Sequence, residues 1–137
     1  MAKKKPKVVN TSGKRKTSIA RCTIKAGKGI FRINGIPFEF YEPEIAKIKV
    51  RDALRFVMDR MNKIDISVKV MGGGVLGRSD AIRTALARGL VEYFEDEELR
   101  SLFLGHDRSL LVSDTRRKEP KHPLGKGARA KRQKSYR

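Results

Sequence analysis

Apolar and polar residues alternate through TSIARCTIKA, with Ala20, Cys22 and Ile24 on one side and Ile19, Arg21, Thr23 and Lys25 on the other, the period of a half-buried strand. Cys22 then faces the core as a small, inert thiol. A Gly27-Lys28-Gly29 turn leads to IFRI, and Asn34-Gly35 separates that run from IPFEFY. Asn-Gly between apolar runs is the strongest short hairpin signal, so these runs predict a three-stranded antiparallel meander. From Pro43 the period changes. Ala46, Val50, Ala53, Leu54, Val57, Met58 and Met61 fall at spacings of three and four, which predicts a helix with that face in the core. DISVKVM returns to alternation, Ile66, Val68 and Val70 opposing Ser67 and Lys69. After Gly72, Gly73 and Gly74, a second helix is predicted from about Ser79, with Ile82, Leu86, Leu90 and Tyr93 on one face and Arg83 at its border. Glu95 to Leu104 reads as a short helix ended by Gly105, and Leu110 to Val112 as a last short strand.

The two ends lack such patterns. MAKKKPK has almost nothing to bury, and from Thr115 onward apolar residues nearly vanish while Pro120, Pro123, Gly125 and Gly127 break regular structure. Three regions follow: a disordered basic arm over 1–7, a globular α/β domain over 8–114, and an extended basic tail over 115–137. A chain of 137 residues has room for one core.

Charge sharpens this division. The chain carries 33 Lys and Arg against 15 Asp and Glu, a net +18. Met1 to Lys28 holds ten of the cations and no acid, Arg116 to Arg137 holds ten and only Glu119, and the stretch between is nearly neutral. Such an excess calls for a polyanion. Neither end carries the Trp, Phe or Leu of a membrane-surface segment, no apolar run approaches a bilayer span, and the N-terminus has no signal-peptide core, so a cytoplasmic protein with no membrane partner is expected. Cys22, His106 and His122 are too few for a zinc site, and one cysteine makes no internal disulfide; neither metal nor cofactor is expected.

One motif resembles catalytic machinery. GGGVLGRS, Gly72 to Ser79, nearly fits the phosphate-binding loop of nucleotide hydrolases, between a strand and a helix where such a loop belongs. Arg78 stands where that loop needs a compact lysine charge, and Asp114 is the only candidate for a second, magnesium-holding acid. The same glycines suit an RNA phosphate at a helix start, or merely permit a tight turn. The run Glu95, Asp96, Glu97 and Glu98 splays round a helix start and favours its dipole instead of forming a catalytic pair. No catalytic set emerges, and an enzyme is not expected. A duplex DNA-binding protein remains the other polyanion partner, weakened by the absence of a basic recognition helix.

GKRKTSIAR, GGGVLGRSDAIRTALARGL and the ending GARAKRQKSYR together closely resemble the universal S9 family of small-subunit ribosomal proteins in its archaeal form, over nearly the whole chain. One departure is Arg78, where the family usually carries Gln. The resemblance implies a two-layer α/β fold of the α+β kind, in which a small mixed four-stranded sheet packs on helices through a left-handed βαβ crossover and a long extended basic tail follows. It also implies a place in the head of the small subunit, on 16S-type ribosomal RNA and beside neighbouring head proteins. On that reading the RNA is held by Lys14, Arg15, Lys16 and Arg21, by Gly72, Gly73, Gly74, Arg78 and Arg83, and in the tail by Arg116, Arg117, Lys118, Lys121, Lys126 and Arg129. The last residues, Lys134, Ser135, Tyr136 and Arg137, are implied to touch the anticodon stem-loop of P-site transfer RNA. A tail without a core must meet its ordering entropy through such contacts.

Overall fold

A computed structural model describes residues 7–130 and 133–135. Its sheet has five strands instead of four: β1 Val8–Arg15, β2 Ser18–Ala26, β3 Phe31–Ile33, β4 Ile36–Pro37 and β5 Ile64–Met71, in the spatial order β1-β2-β5-β3-β4. The added strand is β1. Val9, Thr11 and Gly13 turn toward the helices while Val8, Asn10, Ser12 and Lys14 face away, so small and polar side chains carry an alternation that an apolar pattern does not display.

The expected meander gives way to longer-range pairing. β5 lies between β2 and β3, antiparallel to the first, with Cys22 opposite Val68, and parallel to the second, with Ile33 opposite the same Val68. Between β3 and β5 the chain passes through β4, helix α1 Glu44–Leu54 and the single turn α2 Met58–Met61. The Asn34-Gly35 turn does join β3 to β4. Both residues have positive φ, 51° and 84°, as a two-residue hairpin turn of this hand requires. Asn34 also bonds the backbone N–H and C=O of Val70 at 2.8 and 3.1 Å, which ties the hairpin to β5. IPFEFY contributes only two strand residues, because Phe38–Phe40 curls into a 3₁₀ turn that stacks Phe38 on Phe31.

Two further helices complete the second layer, α3 Val75–Phe94 and α4 Glu97–His106. α3 begins directly after the glycine run, four residues before the expected start. Asp96 caps α4 by accepting the N–H groups of Glu98 and Leu99. The short strand expected at Leu110 to Val112 is absent among the described residues; a 3₁₀ turn, Arg108–Leu110, buries Leu110 instead, and residues 113–122 form neither helix nor strand. The core joins Ile24, Ile33, Ile66 and Val68 of the sheet to Val50 and Val57 of the crossover, Ile82, Leu86 and Leu90 of α3, and Phe103 of α4. Each large side chain buried this way stabilises the fold by roughly 1.5–3 kcal/mol.

α3 lies unusually close to the sheet, along a stripe of Ala81, Ala85 and Gly89 at four-residue spacing. A Cβ on Gly13 would stand 2.2 Å from the carbonyl oxygen of Ala81 and 2.6 Å from the amide nitrogen of Ala85. Both neighbours are backbone, so neither yields cheaply. A Cβ on Gly89 would instead meet the terminal Cδ1 of Ile24 at 2.8 Å and Thr11 Oγ1 at 3.0 Å. Gly13→Ala is therefore expected to cost about 1–3 kcal/mol, and Gly89→Ala less, because Ile24 can turn and alanine favours a helix. Thermal unfolding of the two variants tests this; equal midpoints would contradict the close approach of β1 to α3.

Candidate nucleic-acid interface

α3 decides where the C-terminal segment begins. Arg83 holds Asp107 at 2.9 Å and the Ser109 hydroxyl at 2.7 Å, and lies 3.6 Å from Asp52. Thr84 donates to the Ser109 carbonyl at 3.1 Å. Arg88 then donates to the carbonyl of Leu111 at 2.8 Å, the hydroxyl of Ser113 at 2.9 Å and the carbonyl of Ser12 at 3.0 Å. These bonds lay residues 107–113 along α3 and deliver the chain to the end of β1. Burial raises the pKa of Asp107, but the Ser109 amide and hydroxyl together with Arg83 outweigh it and hold the carboxyl below its usual range. Arg83, expected on RNA, is thus turned inward, its Nε buried without a hydrogen-bond partner among the described residues.

At that meeting point stands Asp114. Its carboxylate accepts from the Arg116 guanidinium at 2.7 to 3.1 Å and from the Arg116 amide at 2.9 Å, and it pairs with Arg15 at 3.2 Å. Arg15 also donates to the Arg116 carbonyl at 3.1 Å. The Arg116 side chain and backbone, with Arg15 beyond them, hold the Asp114 carboxyl well below the ordinary carboxylate range. The only acid expected to suit magnesium is therefore occupied by two arginines. Around it, Arg15, Lys16, Thr17, Arg116, Arg117 and Lys118 line an open groove of about 760 Å³. A smaller polar cavity of about 230 Å³ adjoins Arg15 and Arg116 and reaches Lys14, Lys49 and Arg83, against the acids Asp80 and Asp114.

The glycine loop packs on the same β1–β2 turn. Gly72 and Gly73 have φ of 75° and 64°; a Cβ on the first would lie 2.6 Å from the Thr17 carbonyl oxygen and on the second 2.0 Å from Ser18 Oγ. Ser18, fully buried, donates to the Gly72 carbonyl at 3.1 Å, and Arg78 Nε donates to that carbonyl at 3.0 Å. The tight-turn reading is realised, with Arg78 closing the loop upon itself instead of reaching out to a nucleotide. Gly74, which precedes α3, supplies no side-chain cap, so the first amides of that helix lack a capping side chain among the described residues.

A second basic surface arises from register. Arg21 lies directly opposite Lys69 on the helix-free face of the sheet, and the exposed Lys14, Lys25 and Arg32 share that face. Like charges so paired repel, and a polyanion relieves the repulsion. Lys25, Arg32 and Lys69 were not among the expected contacts; strand parity alone could have found them, since each alternates with a core residue.

In the C-terminal segment, Arg129 forks onto Glu119 at 2.9 and 2.7 Å, both groups exposed. Such a pair is screened by water and exchanges readily for phosphate. Arg117, Lys118, Lys121 and Lys126 are exposed and form no ion pair among the described residues. Lys134 and Ser135 are exposed; Tyr136 and Arg137, like Lys131, Arg132 and the arm over residues 1–6, lie outside the described residues. Lys7, the last residue of that arm, bonds Glu95 at 2.6 Å. Burial pushes the Cys22 thiol up to about 12, as an inert core residue requires. Among the described residues no group of three or more His, Cys, Asp or Glu is placed to hold a metal, and no helix is long and apolar enough to cross a membrane.

The sequence pattern described as ribosomal protein S9/S16 matches residues 13–137. The small ribosomal subunit protein uS9 of Thermoplasma volcanium is 53% identical over 129 residues, covering 94% of this chain and 98% of the relative. That of Methanothrix thermoacetophila is 53% identical over 131 residues, covering 96% and 99%. The Halobacterium salinarum protein is 52% identical over 131 residues, covering 95% and 99%. The basic groove, the glycine loop and the C-terminal segment all fall inside the matched region, and the chain belongs to the ribosomal protein S9/S16 family, whose members are structural constituents of the ribosome and not enzymes.

Proposed function

We infer that this protein is built into the head of the small ribosomal subunit of cytoplasmic ribosomes, where it holds 16S-type ribosomal RNA and sends its tail to P-site transfer RNA. The observation that carries the RNA reading is the convergence of the two charge-rich ends on Asp114. Arg15, Lys16, Arg116, Arg117 and Lys118 share one groove, where Asp114 holds two of the three arginines together and a polyanion would neutralise the remaining excess. The exposed α3 start and the Arg21–Lys69 face extend the surface, so RNA phosphates meet backbone amides as well as cations. Beyond Lys118 the described tail loops back through the turns of residues 123–129, with Glu119 holding Arg129, and exchange of that pair for phosphate opens it into an extended probe. Arg129, Arg132 and Arg137 fork onto phosphates, Lys126, Lys131 and Lys134 act as point charges, and Lys134 to Arg137 reach the anticodon stem-loop. The same family reading carries a left-handed path for the crossover between β3 and β5.

Replacing Asp114 separates this account from simple charge attraction. Asp114→Asn raises the net charge by one, so long-range attraction alone predicts tighter RNA binding. Loss of the clamp predicts weaker binding, by roughly three- to tenfold, about one charge-assisted bond. Titration of a small-subunit ribosomal RNA fragment at fixed salt decides between the signs. A carboxylate with a depressed pKa contributes fully above its ordinary value of about 3.9 and loses its effect only as pH falls through the lower folded value, so the variant's deficit should be constant from neutral pH to pH ~5.

The tail is tested separately. Deleting Ser135 to Arg137 is expected to leave subunit assembly largely intact while weakening transfer RNA affinity at the P site. Unchanged affinity in purified subunits would refute the transfer RNA contact.

A further inference from the structure

The outward face of α4 is unlike the rest of this surface. Leu99 and Phe103 turn its inner face into the core, being 4% and 0% exposed. Its outer residues Glu97, Glu98, Ser101, Leu102, Gly105 and His106 follow one another at helical spacing and, with Phe56, line an open groove of about 730 Å³. Leu102 is 55% exposed at its centre. Space beside Gly105 is empty, since a Cβ placed there meets nothing within 4 Å. Phe56 forms the groove's wall, fixed edge-on against Phe103 and His106 with ring centroids 5.5 and 5.2 Å away. In a chain with 33 basic residues, no Lys or Arg among the described residues lines this groove. Glu98 forms no ion pair among the described residues, and Glu97 meets only the exposed Arg100 at 3.5 Å. His106 faces Asp52 at 3.2 Å, which places a third carboxylate behind the groove.

An acid-rimmed apolar groove repels phosphate, so RNA is the wrong occupant for it. Its apolar floor leaves water poorly bound around Leu102 and Phe56, while its rim attracts cations. We propose that the α4 groove docks a short basic and apolar segment of another protein in the subunit, with an apolar side chain over Leu102, Gly105 and Phe56 and Lys or Arg groups on Glu97 and Glu98. The proposal rests on the inferred placement in the subunit and adds a division of labour: RNA on the basic groove and sheet face, protein on α4. Charge complementarity names the occupant, because the apolar floor supplies affinity and the two carboxylates supply selection for a cationic segment.

The test uses small subunits purified from cells whose only copy carries a photo-crosslinking residue at Leu102 or, as a reference, at Lys16. From Leu102 the expected adduct is with another protein, and the captured peptide carries an apolar residue flanked by Lys or Arg. Glu98→Lys is expected to reduce that adduct by about fivefold or more while the RNA adduct from Lys16 changes by less than about twofold. Should Leu102 instead attach to RNA, to this chain's own tail, to an uncharged or acidic peptide, or to nothing above the unirradiated control, the proposal is overturned. Loss of the Lys16 adduct with RNA, by contrast, strikes the inferred RNA-binding function and leaves the α4 result to be read by itself. All positions used are exposed, and recovery of the variant in subunits reports that it folds.

Discussion

Two arginines from opposite ends of the chain share one carboxylate. Arg15 closes β1 and Arg116 follows the last turn of the domain, and without Asp114 between them their guanidinium groups would repel across the groove they line. The clamp is local, but its position is set far away. Gly13 lets β1 approach α3 until backbone touches backbone, and Arg88 uses that proximity to bridge Ser12 of the strand to Leu111 and Ser113 of the departing chain. The close packing of a strand on a helix thereby fixes the point from which the C-terminal segment leaves. The charge excesses are features of the sequence; their meeting is a product of the fold.

That distinction explains what could be read beforehand. The core faces of α1 and α3 followed from spacing, except that Met58 is exposed where the 3₁₀ turn Arg55–Val57 breaks the helical phase, and the Asn34-Gly35 hairpin followed from turn chemistry, since both depend on residues near one another in the chain. β1 escaped because its inward positions are filled by Val9, Thr11 and Gly13, of which only the first is a large apolar residue. The insertion of β5 between β2 and β3 escaped because no local pattern encodes which strands become neighbours. Leu110 to Val112 has the composition of a strand, yet the bonds from Thr84 and Arg88 hold its surroundings against α3 instead of pairing them with the edge strand β1.

The candidate site divides in the same way. The Lys14 to Lys16 turn, the glycine run and the basic residues after Thr115 were each visible as motifs, and the family resemblance joined them in function. Their contact through Thr17, Ser18 and Asp114 required the three-dimensional fold. Arg83 shows what a helix map leaves out: there it borders the core face, and in the fold Asp107, Ser109 and Asp52 enclose it and make it a strut for the segment that follows α4. Arg78 likewise serves the loop it belongs to. Surface charge is consequently sorted by face, basic at the β1–β2 turn and on the open sheet, acidic and apolar along α4.

The central claim is that the two basic ends act as one RNA-binding surface. Crosslinks to RNA from Lys16 and from Arg117 in intact small subunits, mapped to the nucleotide, test it most directly. Attachment of both to adjacent nucleotides of a single RNA segment is the predicted result; attachment to separate RNA helices, or of only one of the two to RNA, would contradict it.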